Sequence, residues 1–213
     1  MDKEFITNLF GPRFPEKINL LAVSKGHNET LIRSLADLGQ IDFGESRLQE
    51  ALLKMENLRD LTKIRWHFVG KLQKNKVRGV VRAFDVIHSV DSLDLAERIS
   101  RIAREEDKEM KIFLQVKLRK DDSKGGFETV ELFNAIKIIN TLPSLDLAGL
   151  MTITPFSLVS EERKELFIEC RELANKLGLE DCSMGMSSDW QEAVDAGATW
   201  IRIGSLLFGE RSN

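Results

Sequence analysis

A chain of 213 residues with 42% hydrophobic and 31% charged residues has the balance of a soluble globular protein, long enough to bury a substantial core. A net charge of -3 gives no strong field toward nucleic acid or an anionic membrane, and no run reaches the roughly 18 apolar residues of a membrane span. Cys170 and Cys182 form no motif spacing and suit a reducing compartment, and Met1-Asp2-Lys3-Glu4 does not read as a secretory leader, so a cytoplasmic location is expected.

The residues before Pro12 read as a short helix or arm. Ile18 to Ser24 is nearly unbroken in its apolar character, the pattern of a strand buried on both faces. Asn28 or Thr30 caps a helix that carries Leu31, Ile32, Leu35 and Leu38 and stops at Gly39. Ile41 to Glu45 is a second strand, Leu48, Leu52, Met55 and Leu58 space the next helix, and Ile64 to Val69 alternates as a third strand. A short basic helix with Lys71, Lys74, Lys76 and Arg78 follows Gly70. Val86 to Val90 is the fourth strand, and Asp91 or Ser92 caps the helix of Leu95, Ile99 and Ile102. Lys111 to Leu118 is the fifth strand, and Val130, Leu132, Phe133, Ile136 and Ile139 mark another helix. Leu145 to Ile153 is the sixth strand, followed by a long amphipathic helix over Glu161 to Leu177 that ends at Gly178. Cys182 to Met186 is the seventh strand and its exit, Asp189 to Ala196 a short helix, and Thr199 to Ile203 the eighth strand.

Strands alternating with helices, without a linker or low-complexity stretch, predict an α/β fold, and the count matches a (β/α)8 TIM barrel in a single domain over residues 1–213. An open doubly wound sheet is the alternative. A barrel brings the carboxyl ends of its strands together. Lys25 follows the first strand, Glu45 and Ser46 the second, and His67 and Gly70 belong to the third. His88, Ser89 and Asp91 sit at the fourth, Lys117 and Lys124 at the fifth and its loop, and Met151 and Thr152 at the sixth. Ser183 to Ser188 cover the seventh, and Arg202, Gly204 and Ser205 close the eighth.

Lys25 at the end of a buried strand is placed for desolvation, which lowers an amine's pKa and makes it a nucleophile toward carbonyls; a lysine that merely starts a loop is the plainer reading. Gly185-Met186-Ser187-Ser188 and Gly204-Ser205 offer hydroxyls and backbone N–H groups in the two loops where barrels often hold a phosphate monoester, although Ser and Gly are also common helix caps. A lysine nucleophile with a phosphate cradle is economically explained by pyridoxal 5′-phosphate. Arg202 would then donate to an unprotonated ring nitrogen, weakening the ring as an electron sink, or else form a barrel-mouth ion pair.

His67, between Trp66 and Phe68, and His88 read as hydrogen-bonded core histidines rather than catalysts, and the three histidines lack metal-ligand spacing, so no metal is expected. The basic stretch reads as a solvated helix face rather than a polyanion site. The chain contains no tyrosine, which excludes a lysine/tyrosine pair of racemase bases within it.

Several motifs carry a family resemblance: Ala22-Val23-Ser24-Lys25, Phe43-Gly44-Glu45, Trp66-His67-Phe68-Val69-Gly70 with Leu72-Gln73 and Asn75-Lys76, Ser183-Met184-Gly185-Met186-Ser187, and Arg202-Ile203-Gly204-Ser205 with Phe208-Gly209. In this order, over Ile18 to Arg211, the chain resembles the pyridoxal-phosphate homeostasis proteins, a family similar to the barrel domain of alanine racemase. The resemblance implies a Schiff base on Lys25, phosphate contacts from Ser187, Gly204 and Ser205, and Arg202 near the pyridine nitrogen. Ser46, after the second strand, and Met184, in the seventh-strand motif, are also expected at the cofactor. It also implies storage and delivery of vitamin B6 cofactor with little or no turnover. The chain departs from the family pattern at Ser46, where Asn is usual, at Lys71, Lys117 and Ser188, and at Gly125-Gly126.

The expected function is therefore intracellular pyridoxal-phosphate homeostasis rather than catalysis. The alternatives are a pyridoxal-phosphate-dependent, racemase-like enzyme and, more remotely, an aldolase using Lys25 on a sugar phosphate. Expected partners are pyridoxal phosphate and apo forms of enzymes that use it, with no nucleic acid and no membrane, and the chain is expected to be a monomer.

Overall fold

The computed structural model describes all residues except 1, 13, 16, 122–124 and 210–213, so Lys124 and Arg211 lie outside the described residues. The strands are β1 (Asn19–Val23), β2 (Asp42–Glu45), β3 (Arg65–Phe68), β4 (Val86–Val90), β5 (Met110–Lys117), β6 (Phe127–Glu128), β7 (Leu145–Met151), β8 (Asp181–Ser183) and β9 (Trp200–Ile203). All pairings are parallel. β1 to β5 pair in succession, β5 pairs with β7, β7 with β8, β8 with β9, and β9 returns to β1, so the sheet closes into an eight-stranded barrel. The two-residue β6 adds to the end of β5 outside that ring.

The helices are α1 (Lys3–Phe10), α2 (Glu29–Asp37), α3 (Leu48–Asn57), α4 (Val77–Ala83), α5 (Leu93–Glu105), α6 (Thr129–Ile139), α7 (Ser160–Lys176), α8 (Trp190–Asp195) and α9 (Ser205–Phe208). Asn28 and Ser92, rather than Thr30 and Asp91, supply the side-chain caps of α2 and α5. Each accepts from the backbone N–H three residues on, satisfying a donor that the first helical turn leaves open.

Alternation along the strands makes two cores. Leu20, Ala22, Phe43, Ile87, Ile112, Leu114, Ile201 and Ile203 face outward and join Ile32, Ala51, Val80, Ile99, Leu132 and Phe167 of the helices. Leu21, Val23, Val86, Phe113, Met151 and Trp200 form a smaller cluster inside the barrel. Between them these side chains drive the closure, each fully buried aliphatic contributing about 1.5–3 kcal/mol.

Three helices turn differently from their sequence patterns. In α2 the buried residues are Ile32 and Leu35, and Leu31 and Leu38, expected on the same face, are exposed. In α3 the buried residues are Leu48, Ala51 and Lys54, and Leu52, expected inward, is 45% exposed. The face is rotated because Lys54 reaches in to the carboxylate of Glu45 at 2.7 Å. In α6 Leu132, Ala135, Ile136 and Ile139 share the buried face, leaving Val130 and Phe133 in solvent. The basic stretch is a 3-10 turn over Lys74–Lys76 that leads into α4, whose buried side is Val77, Val80 and Val81. Lys74 pairs with Asp94, and Arg78 pairs with Glu105 and Glu106. Among the described residues, no helix is long and apolar enough to cross a membrane.

Candidate cofactor cleft

A cleft of about 650 Å³ opens at the carboxyl ends of β1, β3, β7, β8 and β9. Lys25, Ser187, Arg202, Gly204 and Ser205 line it, with Val23, Val69, Ile153 and Met186 as apolar walls. Topology explains the convergence. β9 lies beside β1 with Ala22 opposite Ile203, so the loop of Lys25 and the loop of Gly204-Ser205 leave neighbouring strands at the same level. The loop after β8 joins them because the Arg202 N–H donates to the carbonyl of Gly185. Gly185 has φ of +89°, and a Cβ there would meet the Ala193 Cβ at 2.6 Å, so this turn requires glycine.

Ser187 Oγ accepts from the backbone N–H groups of Gly204 at 3.3 Å and Leu206 at 3.5 Å. A hydroxyl oxygen thus sits among donors able to take an anionic oxygen. The next loops are tied by Asp189, which is 2% exposed. Its carboxylate accepts from the Thr154 hydroxyl and from the Met186 N–H, both at 2.6 Å. Read from sequence, Asp189 was only a helix start; its position before α8 gave no sign of this clamp.

Lys25 is half-buried between two anchored neighbours. The Ser24 carbonyl accepts from Lys54 Nζ at 2.8 Å, and the Gly26 N–H donates to Glu50 at 2.5 Å. Lys54 also bonds Glu45 and Glu50, each at 2.7 Å, and the Ser24 hydroxyl donates to Glu45 at 2.7 Å. Burial pushes the Glu45 carboxyl above its ordinary range, against the opposing pull of Lys54 and Ser24. Among the described residues its Oε2 has no hydrogen-bond partner. This buried ion pair beneath the lysine loop left no mark in the sequence pattern, since Lys54 sits in an ordinary helical run.

Arg202 is 5% exposed. Its Nη1 donates to the Ser183 carbonyl at 2.6 Å and to Ser183 Oγ at 3.0 Å, and Nη2 donates to the Thr152 carbonyl at 2.9 Å. Burial pulls its pKa down to about 10, with Asp189 and Cys170 opposing, so it remains a cation at neutral pH. Below it lie the histidines, both buried: His88 Nδ1 is 2.9 Å from Ser183 Oγ, His88 Nε2 is 2.9 Å from His67 Nδ1, and His67 Nε2 is 2.9 Å from Asp42 Oδ1. They are core histidines, as their sequence setting suggests.

Other expected site residues lie elsewhere. Ser46 lines a separate cleft with Arg47, Lys71 and Gln73. Met184 is fully buried and does not line the cofactor cleft. Lys117, a strand-end residue not expected to touch the cofactor, pairs with Glu128 at 2.8 Å. The strand-end rule places residues along the barrel axis but not around it, so it cannot separate Ser46 from Ser187.

The family model for the alanine racemase N-terminal domain matches residues 13–212. The pyridoxal phosphate homeostasis protein of Synechocystis sp. is 43% identical over 203 residues, 92% of this chain and 93% of that protein. PipY of Synechococcus elongatus, 44% identical, covers 97% of this chain and 99% of PipY, with a TM-score of 0.92 for the structure without PLP and 0.91 with PLP bound. Alanine racemase of Clostridium difficile shares the fold at a TM-score of 0.76 and 17% identity, covering 99% of this chain and 57% of the racemase. Fold and cleft together define a barrel of the alanine-racemase type. Within that class, the chain belongs to the pyridoxal phosphate homeostasis protein family.

Proposed function

We propose that this chain binds pyridoxal 5′-phosphate in the cleft at Lys25 and serves the homeostasis of that cofactor, holding it and passing it on, with little or no turnover. The observation that carries this reading is the meeting in one cleft of an amine, a hydroxyl among backbone N–H groups, and a buried arginine. Its volume lies within the roughly 300–1,000 Å³ of small-molecule sites. Support also comes from PipY, a solved relative with PLP bound.

The cofactor supplies an aldehyde and an aromatic ring able to take up electrons from bonds beside a captured amine. Lys25 is the amine that would capture the aldehyde, with loss of water. Ser187, Gly204 and Ser205 would hold the phosphate. Arg202, kept charged, would donate to the ring nitrogen and keep a proton off it, which would weaken the electron sink. No tyrosine exists to complete a racemase base pair. Apo enzymes that need the cofactor are the recipients we assign, and the two free thiols suit a cytoplasmic setting.

The test is a titration of the purified protein with pyridoxal phosphate, followed by absorption spectroscopy. A saturable visible band is expected. A protein that stays colourless and binds no more tightly than a lysine-bearing control overturns the reading.

A further inference from the structure

We propose that Ser183, His88, His67 and Asp42 form a one-way hydrogen-bond relay that positions Arg202 as a fixed donor toward the cofactor ring. This inference rests on the cofactor reading above. The direction of the relay follows from its lower end. The Asp42 carboxylate accepts from Arg65 Nη2 at 2.9 Å as well as facing His67, and an ionised carboxylate can only accept. His67 Nε2 must therefore carry a hydrogen.

With His67 neutral, its Nδ1 is a lone pair and must accept from His88 Nε2–H. His88 Nδ1 is then a lone pair too and accepts from the Ser183 hydroxyl. The Ser183 oxygen, having given its hydrogen to His88, is left to accept from Arg202 Nη1. Each bond dictates the next, and the last dictates the rotation of the guanidinium. The bonds to Ser183 and Thr152 occupy both Nη1 hydrogens and one on Nη2. Nε–H and the second Nη2–H remain for the cleft that Arg202 lines.

Stability alone does not explain this arrangement. Barrel interiors are dominated by bulky branched residues, and replacing buried charged groups by well-packed apolar side chains is often neutral or stabilising. Here the network runs through the inner apolar cluster, with His88 stacked on Phe113 at 4.4 Å between ring centres. It connects the floor of the barrel to one atom of Arg202 and is satisfied at each step.

The ligand-free protein gives the first readout. Long-range 1H–15N spectra at neutral pH should show His67 and His88 neutral and protonated on Nε2, with Ser183→Ala moving the His88 Nδ1 resonance toward that of an unbonded lone pair. A histidine that is cationic, or protonated on Nδ1, overturns the relay. The second readout is the loaded protein. Ser183→Ala and His88→Asn should shift the absorption maximum of bound pyridoxal phosphate and weaken its binding on the order of tenfold, the scale of one hydrogen bond to a charged group. Ser183→Thr should restore both. Folded variants with lowered melting temperature but unchanged spectrum and affinity make the chain a packing feature and overturn its positioning role. Failure of the unaltered protein to take up pyridoxal phosphate overturns the cofactor reading and this role with it; normal uptake with unresponsive variants overturns the relay alone.

Discussion

His67 Nδ1 and His88 Nε2 lie 2.9 Å apart at the centre of the barrel, and only one hydrogen can occupy the line between them. Protonating both rings would force two cations together in a dry interior. Burial first, and then His67 and Arg202 nearby, push His88 well below its ordinary 6.5. Burial also pushes His67 down, against the upward pull of Asp42.

Acid should therefore destabilise the fold in two stages. The folded-state pKa of each histidine is depressed, so the unfolded chain takes up protons first; stability is present above about pH 6.5 and is lost below it, by at most about 1.4 kcal/mol per pH unit for each histidine. Burial raises the Asp42 carboxyl, but hydrogen bonds from His67 and Arg65 and the Arg65 charge bring it below 3.8, so its contribution is present above that value and is lost as pH falls through the lower folded one. Melting temperatures across this range should fall from neutrality toward about pH 5, less steeply in His88→Asn. A flat profile there contradicts the buried neutral pair.

Lys54→Met removes one partner of a buried ion pair and leaves Glu45, 0% exposed, without its counter-charge. The expected loss is about 3–5 kcal/mol in denaturant unfolding, with much of it recovered in the Lys54→Met/Glu45→Gln double variant. A single variant as stable as the unaltered protein would show that Lys54 does not hold the Ser24–Gly26 segment.

Ser187→Ala and Ser205→Ala should each cost on the order of 1.5–3 kcal/mol in binding of pyridoxal phosphate, with little effect on pyridoxal, which lacks the phosphate. Calorimetry with both vitamers reads the difference. Unchanged binding of both in the two variants puts the phosphate elsewhere.

Amino acids should exchange slowly with the bound cofactor, without steady turnover. Racemisation needs an electron sink and acid/base groups on both faces of the substrate carbon; in the proposed site Arg202 would weaken the first, and a missing positioned group typically costs about 10²–10⁴ in rate. Deuterium incorporation at Cα of L-alanine in heavy water is the assay. Exchange at ordinary enzymatic rates that vanishes in Lys25→Ala restores an enzyme.

The barrel was legible because apolar strand runs and helical periodicity are local signals. Each of the eight strand expectations meets a strand within a few residues, as Ile18 to Ser24 meets Asn19–Val23. The cleft was legible at Lys25, Ser187, Arg202, Gly204 and Ser205 for the same reason, since strand ends in a closed barrel meet. What stayed hidden depends on long-range pairing. Lys54 and Glu45 are nine residues apart on different elements, and the link from His88 to Ser183 spans 95 residues. Asp189 reads as a plain helix start until Thr154 is seen against it. The four-residue α9 and two-residue β6 are too short for a periodic signal.

Covalent attachment at Lys25 is the centre of the cofactor reading and can be measured directly. The protein is loaded with pyridoxal phosphate, reduced with borohydride, digested, and its peptides are weighed. The pyridoxyl group is expected on Lys25, in one copy per chain, and absent from Lys25→Ala. Recovery of the label on Lys117, which is engaged with Glu128 outside the cleft, on Lys124, or spread over surface lysines contradicts the assignment.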